Sequence, residues 1–348
     1  MFVTSPSTTY KLEQKLQHTT TFTEYYAHDT STETPVCIRL YQKDVQYIQH
    51  TEVDWNVIKH ISHPLVPKFI DFFPTDDSFV LVSEYFSKIS LTQLLNDCDQ
   101  TLSEDKVWTI IKQLLTVLHF LHRLSVAHCG INPDNILVDS RTLEIRLTNF
   151  SNATGINFPP PKTSEYIISP PEIVTRAQNV KSYLADTFNV GVLMYSMITG
   201  KKPWSYFDRE SLQEDYLNRI IEKPEKMSSA CFGLVEKLIA LNPSMRYSCE
   251  QALHHYWITK GRNKVIPTVL LKRAQLQVPI LRNRVFSPTS PDSKAYSPEP
   301  QRLYLKLPER SNSMLPGGSP VWKTRLKLNN SFIKSAQIRM VGEALALP

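Results

Sequence analysis

The chain has 348 residues, 41% of them hydrophobic, which is enough to bury a large core. Glycine is the informative count: there are only 9, and the first is Gly130. A glycine-rich loop that brings backbone N–H groups up against phosphates is therefore excluded from everything before Gly130. The cysteines Cys37, Cys98, Cys129, Cys231 and Cys249 are widely spaced and form no C-x-x-C pair, which argues against a disulfide frame or a zinc site. Residues 1–9 lack the cationic lead and apolar core of a secretory signal, and the longest near-apolar run, Val190–Ile198, is too short to span a bilayer. These features predict a soluble protein of the cytosol, the nucleus or both.

The net charge of +6 is unevenly placed: residues 262–348 hold 15 Lys+Arg against 4 Asp+Glu, so the basic excess sits in this tail. The same stretch carries 10 of the 24 prolines, with Ser-Pro steps at Ser287, Ser290, Ser297 and Ser319. Such a composition buries too little apolar surface to offset chain ordering. The expected organisation is an extension over 1–9, a folded domain over 10–260, and a basic, mostly disordered tail over 261–348.

Along the chain, Val36–Tyr41 and Phe79–Tyr85 are β-branched and aromatic runs of strand length. Between them Val53–Ile61 has helical spacing. Ser103 is placed as an N-cap, and the apolar steps Val107, Ile111, Leu114, Leu118 and Leu121 predict a long helix. Two short strands follow at Ile136–Val138 and Ile145–Leu147. Further helical patterns cover Tyr183–Thr199, Leu212–Ile221, Phe232–Ala240 and Cys249–Trp257. A β-rich lobe followed by a larger helical lobe is the α+β architecture that this pattern predicts.

After the long helix come His128-Cys129-Gly130-Ile131-Asn132-Pro133-Asp134-Asn135 and then Asn149-Phe150-Ser151. These resemble the catalytic loop H-R-D-L-x-x-x-N and the D-F-G turn of the eukaryotic protein kinases. Ser169-Pro170-Pro171-Glu172 stands where that family has A-P-E. Asp186–Leu193, Met197–Trp204 and Leu241–Ile258 resemble its later helical segments. The resemblance covers residues 10 to 260 in order, and implies a two-lobed kinase fold with an N-lobe over 10–83, a hinge over 84–87 and a C-lobe over 88–260.

It also implies which chemistry is missing. Phosphoryl transfer needs cradled phosphates, a strand lysine paired with a helix glutamate, metal-binding carboxylate and a carboxylate base. The glycine loop is replaced by Gln17–Thr23 with Thr19-Thr20-Thr21, read as a strand-turn-strand cover. The strand lysine is Arg39, and its helix partner is Asp54, with Glu52 as the alternative. Gly130 stands at the base position, Asn132 at the catalytic-loop lysine and Asn149 at the D-F-G aspartate, while Asn135 retains one metal-type position. An active enzyme with relocated groups would draw a carboxylate near Gly130 from Asp134 or Asp139. Ser83, Glu84 and Phe86 mark the gatekeeper and hinge of a degenerate nucleotide cleft. Cys129 replaces the arginine that receives a loop phosphate, and is read as a packing residue. His128, Glu172, Asp186 and Arg246 match architectural positions.

The resemblance thus implies a pseudokinase that scaffolds or regulates proteins, such as an active kinase or its substrate. It implies no cofactor, at most weak metal-independent ATP binding, and no specific nucleic-acid partner. Two other readings stand beside it: an unorthodox active serine/threonine kinase, and a phospho-regulated docking protein working through a tail able to contact acidic surfaces.

Overall fold

The computed structural model describes residues 1–259 apart from Thr20, Asp44, Lys88, 162–165, 178–179, 205–208 and 219–220. The tail, with Ser287, Ser290, Ser297 and Ser319, lies outside the described residues.

Strands β1 (Phe2–Thr4), β2 (Thr9–His18), β3 (Phe22–Asp29), β4 (Pro35–Gln42), β5 (Phe69–Pro74) and β6 (Ser78–Glu84) form one antiparallel sheet in the order β1-β2-β3-β4-β6-β5. The expected boundary between residues 9 and 10 falls inside this sheet. Val3 pairs with Tyr10, both side chains are buried in one cluster, and Thr9 already opens β2. Central β4 is buried along most of its length, as a strand covered on both faces must be. Its register places Arg39 opposite Glu24 of β3, and Cys37 between Tyr26 of β3 and Ser83 of β6.

Helix α1 (Val45–His60) connects β4 to β5 and begins eight residues before the expected Val53. It packs Val57 and Ile58 into the core, and Trp55 stacks on Phe72 with centroids 4.7 Å apart.

The helical half begins with α2 (Leu91–Asp97), capped by the Ser90 hydroxyl. Helix α3 (Glu104–Arg123) follows and buries the expected stripe of Val107, Ile111, Leu114, Leu118 and Leu121. Ser103 takes the N-cap position of α3 but its hydroxyl makes no capping bond. Then come β7 (Val126–Ala127), a 3-10 turn over Pro133–Asn135, β8 (Ile136–Val138), β9 (Ile145–Leu147) and β10 (Thr154–Gly155), with β8 paired to β9 and β10 to β7.

Helices α4 (Pro171–Val174), α5 (Ser182–Thr199), α6 (Arg209–Asn218), α7 (Ser229–Leu238), α8 (Cys249–Leu253) and α9 (Tyr256–Thr259) complete the described fold. The helix expected over Cys249–Trp257 is two. His254 closes α8, and the His255 ring accepts the Trp257 N–H at 3.3 Å to start a new turn. Helix α6 covers Arg209–Asn218 where Leu212–Ile221 was expected, and α7 is shifted toward the N-terminus relative to Phe232–Ala240. Helix α5 is buried along nearly its whole length, and a methyl at Gly191 would lie 2.6 Å from Ile239 Cγ2, so the close approach of α7 requires glycine there.

A single hydrophobic cluster runs from Phe22, Tyr41 and Leu81 of the sheet through Leu65 and Ile136 into α3, α5 and α7. The sheet and the helical half therefore share a core on one side of the cleft between them.

Candidate functional site

The β2–β3 hairpin covers the cleft from the sheet side. Thr19 Oγ1 accepts the backbone N–H groups of Thr21 at 3.2 Å and Phe22 at 3.1 Å, and the Thr19 N–H donates to the Phe22 carbonyl. The Thr19 hydroxyl thus satisfies two backbone donors of the turn. This is the threonine turn expected from the sequence.

Below the hairpin lies a buried ionic cluster. Arg39 donates from Nε to Glu24 Oε1 at 2.8 Å and from Nη1 to Asp54 Oδ2 at 3.1 Å. Tyr41 donates its hydroxyl to Asp54 Oδ2, and Cys37 lies 3.1 Å from Glu24 Oε1. Asp54 Oδ1 accepts the backbone N–H of Phe150 at 2.7 Å. The structure selects Asp54, not Glu52, as the helix partner of Arg39.

Burial opposes the charge on Arg39, but Glu24, Tyr41 and Asp54 outweigh it and hold its pKa well above the ordinary value. Burial and Asp54 push the Tyr41 hydroxyl upward, and burial and Glu24 do the same to the Cys37 thiol. Glu52 has no such cation, and burial lifts its carboxyl to about 7.

The catalytic-loop segment is held from beneath. Asp186 on α5 accepts the N–H of His128 through Oδ2 and that of Cys129 through Oδ1, each at 2.8 Å. His128 donates from Nε2 to the Thr148 carbonyl at 3.0 Å, so its Nδ1 is the acceptor for the Gly130 N–H at 3.2 Å. Burial lowers the pKa of this neutral ring. Asn132 caps the following turn by accepting the Asn135 N–H at 3.0 Å.

From there an amide chain crosses the site. Asn135 Nδ2 donates to the Gly130 carbonyl at 2.8 Å, Asn149 Nδ2 donates to Asn135 Oδ1 at 3.0 Å, and Ser151 Oγ donates to Asn149 Oδ1 at 2.6 Å. Asn149 takes a positive φ of 61°, which asparagine tolerates better than most residues. Gly130 has no such need. A methyl there would meet its nearest atoms, Asn135 Nδ2 and His128 Nδ1, at 3.4 Å.

At the hinge end, the cleft narrows to a cavity of about 200 Å³ whose lining includes Leu16, Gln17, Glu24, Tyr85, Phe86 and Asp134. Ser83 lies outside this lining, opposite Cys37 in the sheet. Glu84 binds the Lys68 N–H at 3.2 Å, and the Arg146 guanidinium covers Phe86 at 4.1 Å. Asp134 is exposed. Asp139 is committed to the β8–β9 turn, where it accepts the N–H groups of Arg141 and Thr142 at 2.9 Å.

The architectural positions pair as the resemblance implies. Arg246 grips Glu172 with both terminal nitrogens, at 2.6 and 2.9 Å, and also donates to the carbonyls of Leu184 and Ala240. Cys129 is fully buried, and burial together with Asp186 pushes its thiol well up, which suits a packing residue.

A family model described as the protein kinase domain matches residues 19–258. The chain belongs to this family. It is 28% identical over 283 residues to the serine/threonine-protein kinase STE20 of Saccharomyces cerevisiae, an overlap covering 77% of this chain and 29% of that one. It is 27% identical over 225 residues to human NUAK family SNF1-like kinase 2, covering 63% and 35% respectively. A third relative, the serine/threonine-protein kinase PLK4 of Drosophila willistoni, is 29% identical over 209 residues, covering 58% and 26%. The chain spans about a third, or less, of the length of these curated relatives.

Within the kinase fold, the site brings together Arg39, Asp54, His128, Gly130, Asn135 and Asn149. Two participants were not foreseen: Glu24, which shares Arg39, and Tyr41, which shares Asp54. Their signal lay in register, since Glu24 faces Arg39 across the β3–β4 pair and Tyr41 follows Arg39 by two residues on the same face. No helix of the described residues is long and apolar enough to cross a membrane.

Proposed function

We propose that this kinase-domain protein is a pseudokinase, acting on other proteins as a scaffold or allosteric regulator without transferring phosphate. The observation that carries the reading is the amide chain. Gly130 offers only its carbonyl where a base carboxylate belongs, and Asn135 and Asn149 satisfy each other with neutral side chains. Loss of a positioned base alone lowers such a rate by about 10²–10⁴.

The residues present do not fit a magnesium–triphosphate pair. Mg²⁺ is held by one or two carboxylates beside substrate phosphates, and the metal-type positions here are amides. Among the described residues no group of three or more His, Cys, Asp or Glu side chains is placed to hold a metal. The 200 Å³ cavity is also below the roughly 300–1,000 Å³ of typical small-molecule sites. The reading therefore includes no cofactor, at most weak metal-free nucleotide binding, and protein partners met in the cytosol or nucleus, such as an active kinase or its substrate.

One residue favours an active enzyme instead: Asp134, exposed at the cavity. The test is transfer of labelled γ-phosphate from ATP to a general protein substrate with Mg²⁺ or Mn²⁺. The expected result is incorporation by the purified chain no greater than by Asp134→Asn or Asn135→Ala. Transfer that either substitution removes would overturn the proposal.

A further inference from the structure

We infer that Glu24 is a resident counter-ion that fills, from within the chain, the place a nucleotide phosphate would take on Arg39. The assembled arrangement of sheet, α1 and the Phe150 segment then needs no nucleotide, and the cleft turns polyanions away. This rests on the non-catalytic reading above and extends it to the control of the same cleft.

The cluster's stoichiometry is the starting point. One guanidinium faces two buried carboxylates, Glu24 and Asp54, and is also covered by the Phe22 ring at 4.8 Å. An isolated carboxylate on a buried strand position is strongly unfavourable, so Glu24 is tolerated there because Arg39 neutralises it. Tyr41 and the Phe150 N–H also donate to Asp54, and Cys37 to Glu24 Oε1. Arg39 is thereby engaged on two edges and one face.

The cleft wall follows from this. Glu24 and Asp134 both line the cavity, and among its described lining residues there is no lysine or arginine. A phosphate approaching Arg39 would meet the Glu24 carboxylate already bonded to Nε, and would have to sit beside that charge or displace it. Of the described hairpin residues, Thr21 and Phe22 have their N–H groups already used by Thr19. What holds the lobes is internal as well: Asp54 joins Arg39 of β4 to Phe150 by direct bonds on both of its oxygens.

The experiment uses the full chain, with ATP in the absence of Mg²⁺ and inorganic pyrophosphate as probes, in thermal-shift and calorimetric titrations. Glu24→Gln removes the charge while keeping a hydrogen-bonding side chain of the same length. It is expected to bind both anions at least about tenfold more tightly than the unmodified chain, and the gain should vanish in Glu24→Gln/Arg39→Gln. Equal affinity of Glu24→Gln and the unmodified chain would overturn the inference.

Hydrogen exchange on the unmodified chain supplies a readout independent of the variants. The Phe150 amide should be protected without nucleotide and unchanged by added ATP. Fast exchange that ATP slows would also overturn it. Phosphate transfer by the unmodified chain would defeat the non-catalytic reading, whereas equal ATP affinities without transfer would defeat only the role of Glu24.

Discussion

The two oxygens of Asp54 face in different directions: Oδ1 accepts the backbone N–H of Phe150 at 2.7 Å, and Oδ2 accepts Arg39 at 3.1 Å. A single carboxylate on α1 thus ties the sheet to the segment after Asn149. Asp54→Ala should destabilise the domain by about 3–5 kcal/mol, the usual result of removing one member of a buried charge network. Urea unfolding measures this. Glu52→Ala, two residues away and outside the network, is the control. If the two variants lost the same stability, Asp54 would not be the joint.

Arg246 and Glu172 make the corresponding pair in the helical half, both buried and bonded through two nitrogens. Arg246→Ala would leave Glu172 without a cation and the Leu184 and Ala240 carbonyls without their Arg246 donor. A loss of about 3–5 kcal/mol is expected in denaturant unfolding. Arg246→Lys should recover only part of it, because an ammonium cannot reproduce the two-nitrogen grip. Full recovery by lysine would mean that charge alone matters at this position.

Two glycines should respond in opposite ways to alanine. At Gly191 the added methyl would sit 2.6 Å from Ile239 Cγ2 and 2.7 Å from Leu238 Cβ, and overpacking of this kind costs about 1–3 kcal/mol. At Gly130 the nearest contacts are 3.4 Å and the backbone is not left-handed. Gly130→Ala should therefore be neutral or stabilising by up to about 1 kcal/mol, through the narrower unfolded ensemble. Melting temperatures of the two variants decide the matter. A large loss at Gly130 would show that its missing side chain serves the fold, and would undercut its reading as a dispensed catalytic position.

Much of this architecture was legible because local pattern and motif order agreed. Strands β8 and β9 fall at the expected residues, where short apolar runs follow a long helix of strict periodicity. The Arg39–Asp54 and Glu172–Arg246 pairs followed from spacing measured against the kinase pattern. Glu24 did not, since a carboxylate beside two tyrosines reads locally as a solvent-facing strand position. Only the cross-strand register turns it toward Arg39. Edge strand β1 was missed for a related reason: three residues carry no periodicity, and their strand character comes from pairing with β2. The break between α8 and α9 depends on the His255 ring serving as a cap, a role that helical spacing does not signal.

The pH dependence of stability should show two opposing contributions. His128 is held neutral with its Nδ1 as an acceptor, and burial lowers its pKa. Burial, with Arg146 nearby, brings His63 down to about 4. Below about pH 6.5 the unfolded chain takes up protons that these two rings refuse, so stability falls as the pH is lowered, and for His63 the loss continues to about 4. Glu52 works the other way. Its carboxyl is lifted from 4.5 to about 7, so between those values the folded state keeps a proton that the unfolded state has released, and stability falls as the pH rises. Glu52→Gln should accordingly be more stable than the unmodified chain at pH 8 and show little difference near pH 4. His63→Asn, which keeps an acceptor for the Leu65 N–H, should flatten the decline between pH 6.5 and 4. Urea midpoints for the three proteins across this range measure both effects. A Glu52→Gln difference that stayed constant with pH would mean that this half-buried carboxyl does not titrate where its surroundings place it.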